Sequence, residues 1–77
     1  MILEKGKFYT ARGLTSPIYV ISLERINGAK WIITYSWPFE DSEAEKWRVS
    51  QKYVEETLDK MYKEVDVSPV VRALLGV

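Results

Sequence analysis

Residues 23–32, LERINGAKWI, set an Asn-Gly dipeptide between two apolar runs. Asn-Gly flanked by alternating hydrophobic residues is the strongest short-range signal of a β-hairpin. The register decides which side chains face inward. A two-residue turn at Asn27-Gly28 sets Arg25 opposite Lys30 and Glu24 opposite Trp31. A three-residue loop, Ile26-Asn27-Gly28, puts Gly28 at the left-handed position of a bulge. It pairs Glu24 with Lys30, Leu23 with Trp31, Ile21 with Ile33 and Tyr19 with Tyr35. The second register makes one face wholly apolar and sets opposite charges across the strands. A one-residue slip would invert every side chain, so the three-residue loop is the expectation. Ile18, Val20, Ser22, Glu24, Lys30, Ile32, Thr34 and Ser36 then share the other face.

Working outward, residues 7–12 (KFYTAR) read as a first strand, and Gly13 with Pro17 break the chain before the hairpin. PFEDSEAEK is a polar, acidic connection. KWRVS resumes strand alternation, with Trp47 and Val49 on one side and Lys46 and Arg48 on the other. Ser50 is an expected N-cap. Val54, Leu58, Met61, Tyr62 and Val65 then make one helical stripe over about 51–65. A short second helix over about 69–75 has Ser68 as N-cap, Pro69 in the first turn and Gly76 at the stop. The fold expected over 1–77 is one α+β domain. Its sheet, about residues 7–50, is an antiparallel, twisted array or partly open barrel of four to five strands, with a C-terminal amphipathic helix and a short terminal helix.

Composition narrows the function. The chain has 77 residues, 47% hydrophobic and 29% charged, with eleven basic and eleven acidic side chains. That is ordinary for a globular domain. Neutral net charge lowers the expectation of non-specific phosphate binding. No apolar run approaches the length of a membrane span. The opening MILEKGKFYT has too short an apolar stretch for a signal peptide. An intracellular, cytoplasmic location is the expectation, with no membrane partner. His and Cys are absent, so the usual triads, thiol nucleophiles and zinc or haem sites have no ligands. Glu40, Asp41, Glu43 and Glu45 form an acidic cluster that reads as a solvated loop. There is no Gly-rich phosphate loop. No catalytic residue, metal or cofactor is assigned, and an enzyme is not expected.

Two surfaces remain. Trp37 and Phe39 stand beside Pro38 at a strand end, and Trp and Tyr are enriched among interface hot spots. With Ile18, Val20 and Ile32 they form the expected contact surface of a small protein-binding adaptor or inhibitor, of the kind viral or mobile-element genes encode. The alternative is nucleic-acid binding through Ser22, Lys30, Ile32, Lys46 and Arg48. A second alternative is a self-associating structural protein, a homodimer using the outer sheet face or the last helix.

The order strand, tight turn, strand, polar loop, strand, helix over residues 17–65 resembles chromo-domain-like and SH3-like small barrels. Resemblance to chromo domains implies an aromatic cage for methylated lysine, matched by Tyr19, Tyr35 and Phe39. The stretches AKWIITY and KWRVSQKY are similar to the second half of small archaeal chromatin proteins. Those lay a three-stranded sheet on duplex DNA, which implies DNA contact by Ser22, Lys30, Ile32, Lys46 and Arg48.

Overall fold

The computed structural model describes residues 2–76. Strands β1 (Phe8–Ala11), β2 (Ile18–Asn27), β3 (Lys30–Ser36), β4 (Glu45–Ser50) and β5 (Tyr62–Val65) form one antiparallel sheet. Its spatial order is β4-β3-β2-β1-β5. This open sheet, with its helices, is the α+β arrangement read from the sequence, and it is compatible with a small barrel-like fold.

The hairpin differs from its expected register. Asn27 pairs with Lys30, so Gly28 and Ala29 form a two-residue turn. Gly28 is not in the left-handed region. The Asn27 side chain closes the turn by accepting the Ala29 N–H at 3.0 Å, the Asx device that makes Asn a turn residue. Two irregularities follow along β2, at Ile26 and at Ile21. Between them Arg25 meets Trp31, Glu24 meets Ile32 and Leu23 meets Ile33. This middle stretch is shifted by two residues from the expected register, which preserves the faces. Leu23, Trp31 and Ile33 do point inward.

Beyond Ile21 the phase changes. Val20 pairs with Tyr35, and Tyr19 with Ser36. An extra residue in one strand exchanges inside for outside. Val20 and Ile18 are therefore core residues, 0% and 2% exposed, whereas Ile21 is 38% exposed. The expectation that Ile18 and Val20 lie on an outer contact face is corrected by this bulge. Tyr19, expected inside, joins the outer face instead.

The core is Leu3, Tyr9, Ile18, Val20, Ile33, Val49, Val54 and Leu58. Tyr9 buries its ring because its hydroxyl is satisfied, donating to the Ile2 carbonyl and accepting from the Glu4 N–H; a buried phenol without such partners would be costly. Ser50 caps the following helix by accepting the Tyr53 N–H at 3.1 Å. That helix covers 51–61, with a π-helical centre at Val54–Leu58. Its buried face is Val54 and Leu58; Met61, expected on the stripe, is 49% exposed.

The expected helix over 51–65 is thus too long. Residues 62–65 are β5, paired with β1 from Phe8–Val65 to Ala11–Tyr62. The edge of β1 needs a ladder partner. Tyr62-Lys63-Glu64-Val65 has no period-2 alternation of its own, and its strand conformation comes from the pairing with β1. Lys7 anchors the junction by ion pairs to Glu4 at 3.0 Å and Glu64 at 3.1 Å.

The terminal helix, Pro69–Leu75, starts and stops as read. The Ser68 hydroxyl accepts from the Val71 N–H, and Gly76 closes it at φ 75°. It lies over the outer side of β1, where the Arg72 guanidinium stacks on Phe8 at 5.4 Å and donates to the Gly6 carbonyl at 3.0 Å.

Candidate binding cleft

The inner face of the sheet is incompletely covered at the end away from the hairpin turn. β3 brings Tyr35 there, and the chain leaving it brings Trp37. β4 contributes Trp47, and β5 contributes Tyr62. Leu14, Ile18 and, at the edge strand β4, residue Lys46 complete the lining of a cleft of about 260 Å³.

The rings meet edge to face or tilted. Tyr35 and Trp37 are 6.1 Å apart at 79°, Tyr35 and Trp47 6.4 Å at 67°, and Trp47 and Tyr62 6.4 Å at 57°. Tilted pairs of this kind are favourable because a ring's positive edge meets its neighbour's negative face. Tyr53 from the helix supports Trp47 from behind at 5.8 Å. Glu45 fixes the rim. Its carboxylate accepts from the Trp37 indole N–H at 3.3 Å. Burial, then the Glu45 contact, pushes the Tyr35 phenol up to about 12. Burial also raises Tyr62. Both phenols are therefore neutral at physiological pH, and the cleft is a wall of uncharged aromatic rings with Glu45 and Lys46 at its border.

The residues expected to bind protein are split among four places. Trp37 lines the cleft, and Ile18 forms its floor from within the core. Val20 is wholly buried. Phe39, 46% exposed, is the second residue of a short 3-10 helix, Pro38–Glu40, and lies near Phe8 at 6.3 Å. Ile32 is half-buried on the outer face, opposite Glu24 and Arg48. The cage expected from Tyr19, Tyr35 and Phe39 does not assemble. The Ile21 bulge sends Tyr19 outward against Phe8, with ring centres 5.0 Å apart, and leaves Tyr35 inside. Sequence reasoning missed Tyr62 because it assigned that residue to a helix. Residues 62–65 carry no period-2 alternation that would have marked the strand.

The outer set does come together. Ser22 pairs with Thr34, Thr34 with Lys46, Ile32 with Arg48, and Lys30 with Ser50. Cross-strand partners share a face, so Ser22, Lys30, Ile32, Lys46 and Arg48 lie on one side of β2–β4. Lys30 and Arg48, with Ile26, Asn27, Val49 and Ser50, border a second hollow of about 360 Å³ near the hairpin.

Among the described residues, no group of His, Cys, Asp or Glu side chains converges as a metal site, and no helix is long and apolar enough to cross a membrane. Comparison of the chain with protein-family models, curated proteins and solved structures gives no match.

Proposed function

We propose that this chain is a small, non-catalytic protein-binding module on an SH3/chromo-like barrel, and that it grips a partner side chain in the cleft of Tyr35, Trp37, Trp47 and Tyr62. One observation carries the reading: four aromatic side chains, packed against the core but only partly buried, wall a solvent-open cleft. Ring faces accept apolar groups and cations alike. Trp and Tyr anchors set in pockets supply most of the energy of protein contacts.

The test is a peptide-display selection on the wild-type chain, followed by titration of the enriched peptides against the three Trp indole N–H resonances. Trp37 and Trp47 are expected to shift. Trp31, at the hairpin end of β3 and bonded through its indole N–H to the Gln51 side chain, is expected to stay. Trp37→Ala should weaken binding about tenfold or more, as a hot-spot truncation does. Equal affinity of the enriched peptides for Trp37→Ala and Tyr62→Ala would move the interface elsewhere.

A second reading, nucleic-acid binding, is favoured by the shared outer face of Ser22, Lys30, Ile32, Lys46 and Arg48. Retention on a polyanion column that disappears with salt, and is lost in Lys30→Glu with Arg48→Glu, is its signature, because counterion release governs such binding.

A further inference from the structure

We infer that β4 is the docking edge for an extended, acidic segment of the partner, which adds to the sheet as a sixth strand beside the cleft. The inference rests on the cleft reading above and specifies what enters it. Three observations lead here.

β4 is an end strand of the sheet, and no other described strand pairs with its far side. The direction of its backbone groups follows from one bond. The Gln51 N–H donates to the Ala29 carbonyl at 2.7 Å. That bond flanks the Lys30–Ser50 pair and marks it as a non-hydrogen-bonded pair of the antiparallel ladder. β3 and β4 run without a bulge. Arg48 and Lys46 therefore share the phase of Ser50, and their N–H and C=O groups point away from β3. An unpaired row of this kind is a template for an added strand.

The side chains choose the occupant. Lys46 and Arg48 stand on the outer face of this edge, both exposed, and neither is ion-paired among the described residues. A second copy is disfavoured. Antiparallel pairing of β4 with itself keeps like faces together, so any register centred on the strand sets Lys46 opposite Arg48, or one of them opposite itself. Like charges directly opposite are destabilising. An incoming strand with carboxylates facing Lys46 and Arg48 reverses that sign. The residue between those carboxylates faces inward, opposite Trp47, a wall of the cleft. The partner motif is therefore acidic, apolar, acidic in an extended conformation.

The probe is a short synthetic peptide alternating glutamate with valine, compared with one alternating lysine with valine. The measurement is amide hydrogen exchange by NMR, together with the Trp37 and Trp47 indole shifts. The glutamate peptide should protect the Lys46 and Arg48 amides, and the lysine peptide should not. Lys46→Glu with Arg48→Glu should weaken the glutamate peptide about tenfold or more and exchange the preference. Arg48→Pro should fold, since an edge strand tolerates proline where its N–H points outward, and should lose the peptide. Indole shifts without amide protection on β4 would overturn the inference and leave the cleft reading standing. Silence at both places would sink the two together. Equal binding of the two peptides, or a duplex oligonucleotide shifting Lys30 and Ile32 while the glutamate peptide leaves β4 untouched, would overturn it as well.

Discussion

Replacing Val20 and Ile21 by Thr, one at a time, interrogates the bulge that divides inside from outside. Both changes keep a β-branched side chain, so strand preference is held nearly constant. Val20 is fully buried and Ile21 38% exposed. In Val20→Thr a methyl becomes a hydroxyl with the same shape. The lost apolar burial costs about 0.8 kcal/mol, and a buried hydroxyl without a partner costs about 1–3 kcal/mol. The expected loss is about 2–4 kcal/mol. In Ile21→Thr the hydroxyl reaches water, and the loss should stay below about 1 kcal/mol. Urea unfolding followed by tryptophan fluorescence separates the two. With a slope of about 1 kcal/mol per M for a small domain, the midpoints should fall by roughly 2–4 M and less than about 1 M. In thermal scans the first change should lower Tm by roughly 10–20 °C. Uninterrupted alternation outward from Leu23 would put Ile21 inside and Val20 outside. Ile21→Thr costing as much as Val20→Thr would therefore refute the bulge, and with it the placement of Tyr19 on the outer face.

Three further outcomes are expected. Ser50→Ala removes the acceptor of the Tyr53 N–H and should destabilise the domain by about 1 kcal/mol in the same urea assay. Arg72→Gln removes the stack on Phe8 and the charged bond to Gly6; opening of residues 69–75 should become easier by about 1–2 kcal/mol, seen as roughly 5- to 30-fold faster amide exchange confined to that helix. Burial and Glu45 raise the Tyr35 phenol from 10.0 to about 12, so the folded state favours the neutral form. Its contribution is intact below pH 10 and declines as pH rises from about 10 to 12; urea midpoints across that window should fall less in Tyr35→Phe than in the wild type, with the same slope in both counting against the assignment.

The parts of the fold legible in the sequence are those fixed by local chemistry. Alternation in KWRVS put Trp47 and Val49 on one face and Lys46 and Arg48 on the other, which is their arrangement in β4. Ser50 and Ser68 cap helices because their hydroxyls meet free N–H groups three residues on. What could not be read is set by distant partners. Val20 turns inward because β2 must cover Leu3 and Tyr9 as well as pair with β3, and nothing near Ile21 announces the extra residue. The end of the helix at Met61 is set by pairing with the edge of β1, Phe8–Ala11, far away in the sequence. The candidate site suffered accordingly. Trp37 was found because it stands beside a proline at a strand end. Tyr62 was lost with its strand, and Ile18 and Val20 were misplaced by the unseen bulge.

Net charge is a poor guide to this molecule's partners, because its neutrality is a cancellation between regions. Lys30, Lys46 and Arg48 share the outer face of β3 and β4 with Glu24 as the opposing carboxylate on the neighbouring strand, whereas Glu40, Asp41 and Glu43 lie in the connection between β3 and β4 and Glu45 is the first residue of β4. Fields from exposed charges fade over about 8 Å at physiological ionic strength. A partner lying along β4 therefore senses the local cations more than the whole-chain sum. The same segregation makes a long, uniform polyanion a poorer fit than a short acidic segment. A duplex extending beyond β4 toward residues 40–45 would meet carboxylates, while a strand confined to 46–48 meets cations alone. The β4 proposal therefore predicts acidic-peptide binding that weakens with salt, in a protein of zero formal charge.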